Sequence, residues 1–194
     1  MNWLGRAAYL LQKNLNPGLY PPIQSQAFHQ RLAGLWREFE EVLSELTNVY
    51  DVNPVLIGGV ALQFYGLTRM TEDIDLLISR DDYQALDDKG LVKFGHLRWP
   101  GIQIDLVREG MDNNPNPDFI RSSQNNYLPS LEGLIYTKLI QNRMKDSADI
   151  VELIKLNFLD ELKLKVLNFE LMNDKLTDKF LDLWNIAEQE MKRT

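Results

Sequence analysis

The sequence predicts an α+β fold of α/β-like character: a small mixed β-sheet flanked by helices, completed by a helical carboxy-terminal part. Three observations carry this expectation. Short apolar runs bounded by glycine or proline recur up to residue 107, as buried strands do. Apolar residues spaced by three and four run from Gln26 to about Tyr50, as in an amphipathic helix. From Ser130 onward the pattern becomes helical, with segments near 130–143, 146–156, 159–170 and 174–192.

Residues 1–15 read as a short helical arm, closed by Asn16-Pro17-Gly18 and Pro21-Pro22, which cannot continue it. The helix from Gln26 carries Phe28, Leu32, Leu35, Trp36, Phe39, Val42, Leu43 and Leu46 on one stripe and needs a core to pack on. Val52 to Ile57 is a short apolar run marked by Asn53-Pro54 and ended by Gly58-Gly59, read as a buried strand. Val60 to Tyr65 makes two helical turns that stop at Gly66, and the strand Asp73 to Ile78 follows. Ser79-Arg80-Asp81-Asp82 offers caps for a helix over Tyr83 to Asp88. Leu91 to Trp99 and Ile102 to Val107 read as a strand pair turning at Pro100-Gly101, and Asn113 to Pro117 as a polar loop. The expected organisation is an arm and helix over 1–50, a core over 51–129, and a helical region over 130–194 packed on that core without a flexible linker.

Composition narrows the chemistry. The 194 residues include no cysteine, which excludes disulfides, thiolate nucleophiles and zinc-thiolate sites. His29 and His96 lie far apart without metal-ligand spacing and are expected to be ordinary surface or core residues. The run from Met1 to Lys13 is too short in apolar residues for a secretory signal, and no segment approaches the roughly 18 apolar residues of a membrane span. A soluble cytoplasmic protein without a membrane partner is expected. A net charge of −7 lacks the basic footprint of a general nucleic-acid binder and favours a small molecule or a protein as partner, although a local patch could still guide a nucleic acid.

The chemistry is concentrated between Gly58 and Asp105. On a strand, Asp73 and Asp75 turn to one face while Ile74, Leu76 and Ile78 turn to the other. Alternating acids also mark the wet face of many strands, so the pair alone decides little. Side by side, however, two carboxylates repel unless a cation sits between them, and oxygen-rich pairs suit magnesium or manganese. Asp105 adds a third carboxylate on the strand Ile102 to Val107, and if that strand pairs beside Asp73 to Ile78, all three converge. Such a cluster can hold two metal ions about 3.5–4 Å apart for in-line phosphoryl or nucleotidyl transfer. Gly58-Gly59, ending a strand and opening a helix, lets backbone N–H groups approach an anion, or is simply a strand-to-helix turn.

Gly58-Gly59, a short helix, Gly66, Arg69, Thr71 and then Asp73-Ile74-Asp75-Leu76 resemble the signature of the polymerase-beta-type nucleotidyltransferase superfamily. Gly58-Gly59-Val60-Ala61 with Arg69 ahead of the aspartates is similar to the abortive-infection (AbiEii-like) and small antibiotic nucleotidyltransferases. Lys138, Arg143, Lys145-Asp146 and Asp149-Ile150 resemble the helical motif of the AbiEii-like group, so the likeness covers residues 52 to 155. The resemblance implies a nucleotidyltransferase fold using Mg2+ or Mn2+. Gly58 and Gly59 would bind the phosphates of an NTP, Asp73 and Asp75 the metals, and Asp105 would be third ligand and base. Lys138 would neutralise the triphosphate, and Arg69 would assist there or hold the aspartates. The acceptor would be a tRNA, a protein such as a paired toxin, or a small molecule. Gly59-Val60 departs from the superfamily's Gly-Ser turn and removes one hydroxyl contact.

Other readings attach to the outer residues. Lys138 shares a helix with Leu134, Ile135 and Leu139 and could be solvated; Asp146 reads as a helix amino-terminal cap, with Asp149 favouring the same helix start. Arg143 and Lys145 read as surface charges, or as contacts to an acceptor. Two competing functions are a glycosyltransferase using Asp-x-Asp, which leaves Gly58-Gly59 and Asp105 unexplained, and a non-catalytic, antitoxin-like protein binding a partner through its apolar helices.

Overall fold

Helix α1, Gln26–Tyr50, turns Phe39, Val42, Leu43 and Leu46 inward, the three-and-four spacing expected of it. The computed structural model describes residues 26–67, 71, 73–123, 125–158 and 160–193. The expected arm over 1–15 and Arg69 lie outside the described residues.

The chain then builds β1 (Val55–Ile57), α2 (Gly58–Phe64), β2 (Asp73–Ile78), α3 (Arg80–Asp88), β3 (Val92–Lys93), β4 (His96–Leu97) and β5 (Gln103–Arg108). These five strands form one sheet in the order β1-β2-β5-β4-β3, with β2 and β5 parallel and every other pair antiparallel. The sheet is therefore mixed, as expected. A parallel pair needs a long crossover, and α3 with the β3–β4 hairpin supplies it. Ser79 accepts a hydrogen bond from the Asp82 N–H at the start of α3, which begins at Arg80 rather than Tyr83.

Two strand expectations are corrected. The strand expected from Val52 begins only at Val55, because Pro54 has no N–H to give a ladder. The continuous strand expected from Leu91 to Trp99 is folded on itself at Phe94-Gly95. Both residues take positive φ, 54° and 83°, which suits a two-residue hairpin turn.

After β5, a 3-10 turn (Met111–Asn113) leads into α4 (Pro117–Ile120), whose start is capped by the Asn116 side chain. Strands β6 (Arg121–Ser122) and β7 (Asn125–Pro129) pair as a small second sheet. The sequence pattern predicted only a loop over 113–117 and no element between it and Ser130. Four helices follow: α5 (Leu131–Gln141), α6 (Met144–Leu156), α7 (Asp160–Leu167) and α8 (Asp174–Arg193). They lie within a few residues of the expected segments.

The two faces of the large sheet are used differently. Leu56, Ile74, Leu76, Ile78, Ile104 and Leu106 join one apolar cluster that includes Phe39 of α1 and reaches Ala187 of α8. On the opposite face Val55, Ile57 and Leu77 pack with Ile120 and with Tyr136 of α5 in a smaller cluster. That smaller cluster covers one end of the face, and the acidic residues occupy the other. Among the described residues no helix is long and apolar enough to cross a membrane.

Phe180 is 0 % exposed and stands edge-on to Trp184, so it anchors α8 in the large cluster. Phe180→Ala is expected to lower unfolding free energy by about 3–5 kcal/mol. Urea unfolding followed by tryptophan fluorescence and circular dichroism would show this, and unchanged midpoints would mean that α8 is peripheral to the fold.

Candidate metal centre

The centre is built by strand register. In the parallel pair, Asp73 lies opposite Gln103 and Asp75 opposite Asp105, and partners across a ladder point to the same face. One ligand atom from each of Asp73, Asp75 and Asp105 falls within 4.8 Å of the others. The convergence expected if the two strands paired is therefore present. Three carboxylates this close, all oxygen donors and partly buried, could hold a metal ion.

Electrostatics report the crowding. Burial, then the charges of Asp73 and Asp105, push the Asp75 carboxyl from its ordinary 3.8 up to about 6, although Lys138 and a hydrogen bond from the Gly59 N–H oppose the shift. A bound cation would reverse the balance by favouring the ionised form.

Gly58 and Gly59 are required by contact as well as by conformation. Gly58 adopts φ +67°, and a Cβ there would sit 1.8 Å from Oδ2 of Asp75. A Cβ on Gly59 would lie 2.6 Å from Oγ1 of Thr71. The turn is thus pressed against the carboxylates, and the Gly59 N–H is already engaged by Asp75.

Each flanking carboxylate is also held. Thr71 Oγ1 donates to Asp73 Oδ1 at 2.7 Å. His96 Nδ1 and Gln103 Nε2 meet the same oxygen of Asp105, Oδ1, at 2.6 and 2.8 Å.

Lys138, Arg143 and Lys145 line the same cavity, of about 840 Å³, as the triad. Lys138 is 4 % exposed, so the solvated reading of it does not hold. Its Nζ donates to Asp146 Oδ1 at 2.8 Å and to Asp149 Oδ2 at 3.0 Å. Asp146 is at the third position of α6 rather than the cap itself. Its Oδ2 accepts from the Arg143 backbone N–H at 3.3 Å and from Arg143 Nε at 2.6 Å. Burial would raise the Asp146 carboxyl, but the hydrogen bonds from Arg143 and Lys138 outweigh it and hold it below the usual range. Arg143 is consequently tied to this network while remaining at the cavity wall.

Gly58, Gly59, Asp73, Asp75, Asp105 and Lys138 therefore share one cavity, and Arg69 falls outside the described residues. Sequence reasoning missed Thr71, Gln103 and His96 as supports. A signal for His96 was present: the pairs His96–Asp105 and Leu97–Ile104 are each symmetric about the Pro100-Gly101 turn. No family model matches the chain, and no curated protein matches it in sequence.

Two outcomes follow from these charges. Because the folded pKa of Asp75 is raised, the native state keeps a proton that the unfolded chain releases between pH 3.8 and about 6, so stability falls as pH rises through that window. In metal-free buffer Asp75→Asn should gain about 2–3 kcal/mol at pH 7.5 and nothing below about pH 4. Urea titrations across pH would show it, and a variant no more stable at pH 7.5 would contradict the crowding. Lys138→Met should lose about 3–5 kcal/mol, since it removes the buried ammonium shared by Asp146 and Asp149, whereas a loss under about 1 kcal/mol would mean that the network is solvated.

Proposed function

We propose that the chain is a metal-dependent nucleotidyltransferase that moves a nucleoside monophosphate from an NTP to a hydroxyl of an RNA, a protein or a small molecule. The observation that carries this reading is the in-register pairing of Asp75 with Asp105 directly beside the Gly58 turn. Three cationic side chains, Lys138, Arg143 and Lys145, line the same cavity of about 840 Å³ as the carboxylates. That volume lies within the range of sites for small organic ligands. The resemblance of Gly58-Gly59, Asp73-x-Asp75 and the Lys138 to Asp149 helix pair to the polymerase-beta-type superfamily points the same way, and its AbiEii-like branch suggests a toxin–antitoxin setting.

In this reading Asp73, Asp75 and Asp105 hold magnesium or manganese, hard cations suited to carboxylate oxygens. The bound ion supplies Lewis-acid polarisation and neutralises charge that builds on the phosphate oxygens. The acceptor hydroxyl oxygen attacks the α-phosphorus, the bond to the β-phosphate oxygen breaks, and pyrophosphate leaves. Asp105 takes the hydroxyl proton as general base. Arg143 and Lys145, which line the same cavity, would supply counter-charge to the β- and γ-phosphates. Lys138, at the cavity lining but already bound to two carboxylates, contributes its field rather than a mobile contact.

The decisive experiment incubates the protein with Mg2+ and each α-labelled NTP, together with total RNA, cell extract and a panel of aminoglycosides and lincosamides. Wild type should transfer label to one acceptor class, Asp75→Asn should abolish transfer, and Asp105→Asn should slow it by about 10²–10⁴-fold. Equal labelling by all three proteins would end the enzymatic reading.

A further inference from the structure

We infer that His96 is a positioning residue for Asp105: by donating to Oδ1 it fixes which oxygen of that carboxylate is turned toward a bound cation. The inference rests on the reading of the triad as a metal site.

An ionised carboxylate only accepts, so the 2.6 Å contact requires the hydrogen on Nδ1 of His96. Asp73 and Asp75 repel Asp105, and a carboxylate free to rotate would swing away from them. His96 and Gln103 both bind Oδ1, which leaves Oδ2 outside that pair of bonds.

The donor is itself fixed. His96 is directly opposite Asp105 in the β4–β5 ladder, Leu97 opposite Ile104, and the Leu106 N–H donates to the Gly95 carbonyl at 2.8 Å. Strand β4 therefore cannot slide without breaking ladder bonds. The His96 side chain is 46 % exposed, so it contributes little to the core, and its contact with Asp105 is what the substitution removes. Partners that orient a ligating carboxylate typically matter by 10–100-fold in metal affinity.

The test titrates the 194-residue protein with Mn2+, following free Mn2+ by electron paramagnetic resonance, with circular dichroism and metal-free thermal midpoints recorded alongside. His96→Leu fills the space without a donor and is expected to weaken binding by about 10–100-fold. His96→Asn places an amide N–H at the δ position and is expected to recover most of the affinity, with metal-free midpoints unchanged in both. Leu and wild-type proteins of equal Mn2+ affinity would overturn the role of His96, as would an Asn variant no better than Leu. A wild type that binds no Mn2+ would overturn the triad as a metal site, and the role of His96 with it. Should the Leu variant fail to fold, the Asn variant against wild type decides, since an affinity loss of 10-fold or more there removes the donor argument.

Discussion

The parallel pairing of β2 with β5 is the constraint on which the rest depends. It sets Asp75 beside Asp105 and keeps Asp73 one step along the same face, so three like charges converge by register. Nothing in the apolar pattern asks for this arrangement, which works against folding by holding a carboxyl near a pKa of about 6. The compensation lies in the other face. Ile74, Leu76 and Ile78, with Ile104 and Leu106, are buried in the large cluster, and those side chains hold the register that forces the charges together.

The positive groups are arranged so that they do not cancel the triad. Lys138 lowers the pKa of Asp75 through space, yet its ammonium is bound by Asp146 and Asp149, and Arg143 is drawn to Asp146 as well. Two cations and two carboxylates thus balance among themselves. A buried, satisfied network of this kind gives rigidity more than net stability. The triad is met instead by hydrogen bonds from Thr71, Gln103, His96 and the Gly59 N–H.

How much of this was legible in the sequence follows from which interactions are local. The alternation of Asp73 to Ile78 and of Ile102 to Val107 fixed the facing of each carboxylate, because side-chain direction on a strand has a period of two. Gly58-Gly59 announced a tight turn, although the reason for it, a Cβ colliding with Asp75, is a contact across 17 positions of chain that no local pattern carries. The hairpin at Phe94-Gly95 was hidden because a phenylalanine rarely takes φ of 54°, so Leu91 to Trp99 reads as one strand. The pairing of Lys138 with Asp146 and Asp149 was equally hidden. Within its own helix Lys138 looks amphipathic, and only the packing of α5 against α6 shows that its head is enclosed.

One cross-sheet row joins these observations. Lys93, His96, Asp105, Asp75 and Ile57 are successive ladder partners across β3, β4, β5, β2 and β1, and all point to one face. Exposure falls along the row, from Lys93 and His96 in solvent, through the half-buried aspartates, to Ile57 at 3 %. The carboxylates therefore sit where the dielectric changes. Toward Ile57 the carboxylate charge is poorly solvated, and toward His96 it is met by water and a donor. The cavity is lined by Ile57 together with the triad, so a ligand there meets the carboxylates beside the dry end of the row, where the field between them is strong. Slipping any one strand by a residue would turn its member of the row to the other face, so the register that crowds the acids also supplies the histidine that holds one of them.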